Sequence, residues 1–93
     1  MPRKSALERM IAFVQEYLNG EMDRMDFDLD FDSILTENYP IMERANRDIA
    51  ECFVFYLAEE GSDLAVSLDD KEHKKLIRKQ FNEFKAAMRD GLL

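Results

Sequence analysis

From Asp26 to Asp32 the chain reads Asp-Phe-Asp-Leu-Asp-Phe-Asp, so that four carboxylates alternate with three large apolar side chains. An alternation of period two predicts a half-buried strand, whereas the Asp-x-Asp-x-Asp spacing is typical of a calcium loop. A helix would instead spread the acids over a surface that a cationic partner could meet. The structure of this one segment therefore decides both the fold class and the kind of partner.

A helix explains more of this segment than a strand does. At about 100° per residue, Phe27 and Phe31 fall on one apolar stripe together with Ile34 and Leu35. Burial of each Phe ring contributes about 1.5 to 3 kcal/mol, which outweighs the repulsion between aspartates one turn apart. Met25 and Leu29 form a second, narrower apolar stripe on the same helix. An acidic flank lies on each side of it: one consists of Asp26 and Asp30, and the other of Asp28 and Asp32.

The match to an EF-hand calcium loop is incomplete. Asp26, Asp28, Asp30 and Glu37 occupy loop positions 1, 3, 5 and 12, but position 6, which needs glycine for a sharp turn, is Phe31. We therefore favour the helix for this segment. A small helical calcium-binding protein remains an alternative function.

The remaining helices are marked by their ends. Ser5 and Glu8 form a Ser-x-x-Glu capping box, and the apolar positions that follow predict a helix ending at Gly20. Pro40 suits the first position of a third helix, which we expect to end at Gly61.

A last helix completes the set, with Ser67 or Asp69 as its cap and Gly91 at its end. Four helices with short connections, and no strand signal that outweighs them, predict an all-α fold. We expect an antiparallel four-helix bundle, with residues 1–93 forming a single helical domain.

Charge bounds the kind of partner. The chain has 20 acids against 13 bases and a net charge of −7, and residues 21–72 alone carry −12. Such a balance argues against nucleic acid and anionic membranes as partners and favours a basic protein. Neither a leader-like apolar segment nor a window of eighteen apolar residues is present, so we expect neither secretion nor membrane insertion.

The sequence offers no catalytic constellation. Cys52 is the only cysteine, and a single cysteine fits a reducing cytoplasm; we interpret it as a small core residue. His73 is the only histidine, which favours a partly buried structural role. We therefore predict that the protein is not an enzyme and uses no cofactor or metal.

A second acidic cluster, Glu59, Glu60 and Asp63, lies at the predicted end of helix three, where the helix dipole disfavours acids. Phe55 falls off the main apolar stripe of the same helix. Acids in a locally unfavourable position beside an off-stripe aromatic residue indicate a binding surface, although a charge run is more often a solvated face.

Three stretches carry a resemblance to the small immunity proteins of the colicin D type. They are Phe-Val-Gln-Glu-Tyr-Leu-Asn-Gly-Glu at 13–21 followed by Met-Asp-Phe at 25–27, Phe-Val-Phe-Tyr-Leu-Ala-Glu-Glu-Gly-Ser-Asp at 53–63, and the closing amphipathic helix. The resemblance implies a four-helix bundle that binds a tRNA-cleaving nuclease toxin and covers its basic cleft. Family binding acids lie at the end of helix three, at Glu59, Glu60 and Asp63 here, while the run from Asp26 to Asp32 departs from the family pattern.

Physical reasoning from the residues alone leads to a similar function. A nuclease cleft must be basic to hold phosphates, so carboxylates placed on a helical surface would dock there and exclude the substrate. We expect a monomer when free, with Met25, Leu29 or Phe55 as apolar anchors. A helical adaptor or homodimer is the other alternative. The predicted toxin-binding acids are Glu59, Glu60, Asp63, Asp26, Asp28, Asp30 and Asp32.

Overall fold

A computed structural model describes residues 5–90, of which helix accounts for 86%. The described residues form no strand. They form four helical segments: α1 (Ala6–Leu18), α2 (Arg24–Ala45), α3 (residues 47–65) and α4 (Asp70–Arg89). The predicted all-α class is confirmed. Within the described chain, no helix has the length and apolar content needed to cross a membrane.

Local capping groups set several of the helix ends as the sequence predicts. The Ser5 hydroxyl accepts from the Glu8 N–H at 3.1 Å, and the Glu8 carboxylate accepts from the Ser5 N–H at 3.0 Å. After α1, Gly20 has φ +83°, and the N–H groups of Gly20 and Glu21 donate to the carbonyls of Tyr17 and Glu16 in a Schellman motif. These bonds satisfy groups that a helix end otherwise leaves without partners.

Aspartates cap the first turns of α2 and α4. The Asp23 carboxylate accepts from the Asp26 N–H at the beginning of α2, and the Asp69 carboxylate accepts from the Glu72 N–H at the beginning of α4, both at 2.9 Å. Of the two caps considered for the last helix, Asp69 is therefore the one used. The predicted stop at Gly91 lies outside the described residues.

The predicted start of helix three at Pro40 is wrong. Pro40 lies inside α2, which continues to Ala45, and the break falls at Asn46, whose backbone is extended (φ −162°, ψ 101°). Buried Asn38 and Met42 extend the inner face of α2 on either side of the exposed Pro40. Because the proline ring lies on the exposed side, water can reach the Thr36 carbonyl that loses its N–H donor.

The predicted stop at Gly61 is also wrong, because α3 continues to Ala65. This helix consists of an α-helical part (Arg47–Phe53), a π-helical part (Val54–Ser62) and a short α-helical end (Asp63–Ala65). The Asp63 N–H donates to the carbonyl of Ala58, five residues earlier, which is the π-helical pattern.

Two compact units divide the chain, Met1–Arg47 and Asp48–Leu93. In the first, α1 and α2 pack antiparallel, because Tyr17 late in α1 contacts Phe27 early in α2, with ring centroids 4.5 Å apart. The Phe13 ring stacks on Phe27 at 5.5 Å, and Phe27 stacks on Phe31 at 5.2 Å. Both Phe27 and Phe31 are buried, as the helical interpretation of the run requires.

In the second unit, α3 and α4 also pack antiparallel. The Phe53 ring meets Phe84 edge to face at 5.2 Å, while Gly61, further along α3, lies against Ile77, nearer the start of α4. His73 is wholly buried in this unit rather than partly buried. The single domain predicted over residues 1–93 stays a prediction.

Candidate functional site

The outer face of α2 carries a narrow apolar stripe bordered by acids. Met25 and Leu29 are 70% and 71% exposed, one turn apart, whereas Phe27 between them is buried. All four aspartates of the run are exposed. We call this surface the α2 stripe; it comprises Met25, Leu29, Asp26, Asp28, Asp30 and Asp32.

One of the two flanks of the α2 stripe has a cation beside it. The Arg24 guanidinium Nε lies 3.3 Å from Asp28 Oδ2, an ion pair between residues one turn apart on the same helix. This pair reduces the negative potential around Asp28. The flank formed by Asp26 and Asp30 is therefore the more electronegative side of the stripe.

The helix separates the four carboxylates instead of gathering them around a cation. Asp26 and Asp30 project from one flank of α2, and Asp28 and Asp32 project from the other. The loop geometry that a calcium site of the EF-hand type requires is not formed in this segment. Among residues 5–90, no group of three or more His, Cys, Asp or Glu side chains is placed to hold a metal ion.

The outer face of α3 carries the second acidic cluster. Glu59 and Asp63 are exposed, Glu60 is half-buried, and Phe55 is 45% exposed. The sequence predicted that Glu59 and Glu60 lie at the end of this helix. Because α3 continues to Ala65, they do not, and only Asp63 lies in its last turn.

The π-helical winding determines which side chains share that face. At roughly 80° per residue through Val54–Ser62, Phe55, Glu59 and Asp63 lie on the exposed side together with Leu64, which is 55% exposed. Regular α-helical winding at about 100° per residue would carry Leu64 round to the buried side. We call Phe55, Glu59, Asp63 and Leu64 the α3 face.

Sequence reasoning did not identify a groove between α1 and α2. It has a volume of about 580 Å³, and its floor includes Phe13 and Ile34. The buried Asn38 Oδ1 accepts from Arg9 Nε at 3.0 Å, and Asn38 Nδ2 donates to the Ile34 carbonyl at 2.8 Å, so the amide is satisfied within the protein. Arg9 and Asn38 are 29 residues apart, and no local signal marks such a pair.

A second groove, also missed, lies along α4. It has a volume of about 430 Å³ and is lined by Leu68, Glu72, Lys75, Leu76 and Lys79. Its signal in the sequence is the positive charge of the last twenty residues, because the two lysines are spaced one turn apart.

Cys52 and His73 both lie at least partly inside the second unit. Cys52 is half-buried, and partial burial raises the pKa of its thiol, which keeps the sulfur protonated and unreactive at neutral pH. The His73 side chain is wholly buried near the start of α4, and the His73 backbone N–H donates to the Asp69 backbone carbonyl at 2.8 Å.

The α2 stripe and the α3 face are thus the two surfaces at which the predicted site residues lie. The first contains all four aspartates of the run, and the second contains Glu59 and Asp63, with Glu60 at its edge. Comparison of the chain with family models, with curated proteins and with solved structures finds no match.

Proposed function

We propose that this chain is an immunity protein, which binds a cognate nuclease toxin of the colicin D type and covers its basic, tRNA-cleaving cleft with an acidic surface. The observation that carries the proposal is the α2 stripe, in which Met25 and Leu29 stand exposed between rows of aspartates. Exposed aliphatic side chains ringed by charge have the composition of a binding surface.

Electrostatics favours a basic cleft as the partner surface. Aspartates one helical turn apart, with Cβ atoms about 5 to 6 Å from each other, present a row of negative charge to cations that would otherwise bind phosphates. Opposite fields also speed the encounter, towards about 10⁸ M⁻¹s⁻¹ at low salt. An inhibitor that must find its toxin before damage occurs benefits from a fast encounter.

We place the centre of the interface on the α2 stripe, and the α3 face with Glu60 is the second candidate. The resemblance favours the α3 face, but Phe55 and Leu64 are less exposed than Met25 and Leu29. A more exposed apolar centre buries more area in a complex.

The finer features of the proposal follow from the same reasoning. An antiparallel arrangement of all four helices in one bundle would hold the inhibitor rigid before it binds. A single, unreactive cysteine suits the reducing cytoplasm, where a tRNA nuclease acts. The chain then acts by binding rather than by catalysis.

The test is to look for a nuclease domain encoded by an adjacent gene, to co-express the chain with that domain, and to measure growth and binding. Asp26→Lys with Asp30→Lys should weaken binding at least about tenfold, because unfavourable charge is brought against a basic cleft. Glu59→Lys with Asp63→Lys tests the α3 face in the same way, and the control is Glu83→Lys, an exposed acid of α4. Binding that neither pair weakens, or a partner whose binding surface is acidic, would refute the proposal.

A helical adaptor or homodimer is the second candidate function, favoured by the exposure of Met25, Leu29 and Phe55. An adaptor would bind its partner, and a homodimer its second copy, through apolar contact alone. Substituting Met25 and Leu29 with alanine would then abolish binding, while the aspartate reversals would leave it intact.

A further inference from the structure

The groove on α4 has the chemistry opposite to that of the α2 stripe. Its floor is apolar, formed by the half-buried Leu68 and Leu76, and Lys75 and Lys79 stand exposed along its edge. Glu72 is the one acid among the residues that line it. An exposed apolar groove bordered by cations fits an apolar side chain with acids beside it.

We propose that this groove binds the α2 stripe of a second copy of the chain. Met25 and Leu29 are spaced four residues apart, as are Asp26 and Asp30 on the flank without Arg24, and so are Lys75 and Lys79 on the groove. Two helices that each present rows of side chains at intervals of four pack by the commonest class of helix contact. Leu29 or Met25 enters the groove, and the two aspartates face the two lysines.

Two cations nearer the end of α4, Lys85 and Arg89, are less suited to such a contact. The Lys85 ammonium lies 4.6 Å from the centroid of the Phe81 ring, and Arg89 Nε lies 3.8 Å from Asp90 Oδ1. Both have interactions within their own helix, and neither lines the groove. The contact therefore centres on Lys75 and Lys79.

The association is weak and reversible, because one helix on one groove buries a small area. The chain is then a monomer when dilute, as the sequence predicts, and associates as its concentration rises. Since the contact joins two different surfaces of the chain, it is heterologous, and each copy can take part in two such contacts. It also covers the α2 stripe until a tighter partner displaces the second copy.

Sedimentation equilibrium of the purified chain over roughly a hundredfold range of concentration tests the inference. Salt should be near 0.15 M, where a Debye length of about 8 Å screens the net charge of each molecule more than the close pairs. The average mass of the wild type should rise with concentration. Lys75→Glu with Lys79→Glu, and separately Asp26→Lys with Asp30→Lys, should each keep the chain monomeric.

Mixing these two variants should restore association, because each then offers a surface of opposite charge to the other. The matched control, Lys85→Glu with Arg89→Glu, changes the net charge of α4 equally and should associate like the wild type. Circular dichroism checks folding, and Lys75→Gln with Lys79→Gln replaces the groove variant if it unfolds. A wild type that stays monomeric, or association that the groove variants retain, would overturn the inference.

Toxin binding is measured separately, so the inference and the proposed function can fail independently. Suppose that Asp26→Lys with Asp30→Lys abolishes self-association but leaves toxin binding unchanged. The α2 stripe would then not be part of the toxin interface, and the contact between copies would stand. If instead the wild type is monomeric at every concentration and the same variant loses toxin binding, the self-association is refuted and the proposed function stands.

Discussion

Phe27 and Leu29 are two residues apart in an alternating run, yet they have opposite surroundings. The Phe27 ring contacts Phe13, Tyr17 and Phe31, whereas the Leu29 side chain is largely in solvent. Phe27→Ala should lower the free energy of unfolding by about 3 to 5 kcal/mol, because it leaves a cavity. Leu29→Ala should change it by less than about 0.5 kcal/mol.

Urea denaturation of the two variants measures this difference. The pair is its own control, because both substitutions remove a large apolar side chain from the same helix. Equal losses of stability would mean that the run does not bury only one of its faces.

Gly61 is required for a close approach between helices and within α3 itself. A Cβ at this position would lie 2.9 Å from the Tyr56 carbonyl oxygen and 3.4 Å from Ile77 Cδ1. Gly61→Ala should therefore destabilise the chain by about 1 to 3 kcal/mol through overpacking, despite the better helix propensity of alanine.

Thermal unfolding followed by circular dichroism measures the effect of Gly61→Ala. Glu59→Ala, on the exposed side of the same π-helical segment, is the control and should leave the melting temperature nearly unchanged. A stabilised Gly61→Ala variant would show that the backbone can move away from the added methyl group.

Among the elements, α2 continues through Pro40, the residue at which the sequence predicted the next helix to begin. An interior proline costs a helix about 3 kcal/mol, whereas a proline at the first position costs little. Pro40→Ala should therefore raise the free energy of unfolding by up to about 3 kcal/mol, because it restores an N–H donor to the Thr36 carbonyl.

Urea denaturation checks the Pro40 prediction, and Ser33→Ala, at an exposed interior position of α2, measures the gain from helix propensity alone. A gain at Pro40 no larger than that at Ser33 would contradict the continuous helix. It would instead fit a helix that begins at the proline.

Helix ends that depend on local hydrogen bonds could be predicted, and those that depend on packing could not. The helix ends at Ser5, Gly20 and Asp69 depend on hydrogen bonds to residues at most five positions away, so these ends can be recognised in the sequence. Pro40 and Gly61 are usual stop or start signals, but burial of Met42 and Ala65 beyond them continues each helix. Tertiary burial outweighs local preference at both positions.

At the scale of the molecule, charge and shape were predictable to different degrees. The helical wheel of the run correctly separates the buried Phe27 and Phe31 from the exposed Met25 and Leu29, since this separation needs only the helical period. The groove between α1 and α2 could not be predicted, because it depends on how these two helices pack and at what register. The surfaces a sequence reveals best are thus those formed by one helix.

The π-helical segment of α3 can lose two residues without turning the helix that follows it. Nine residues at roughly 80° each turn the backbone through about as much as seven residues at about 100° each. A variant shorter by two residues here and wound as an α-helix would keep the faces of Asp63–Ala65 and the core beneath them. Because Glu59 and Glu60 lie within this segment, acids can be lost from α3 in this way at little cost to the fold.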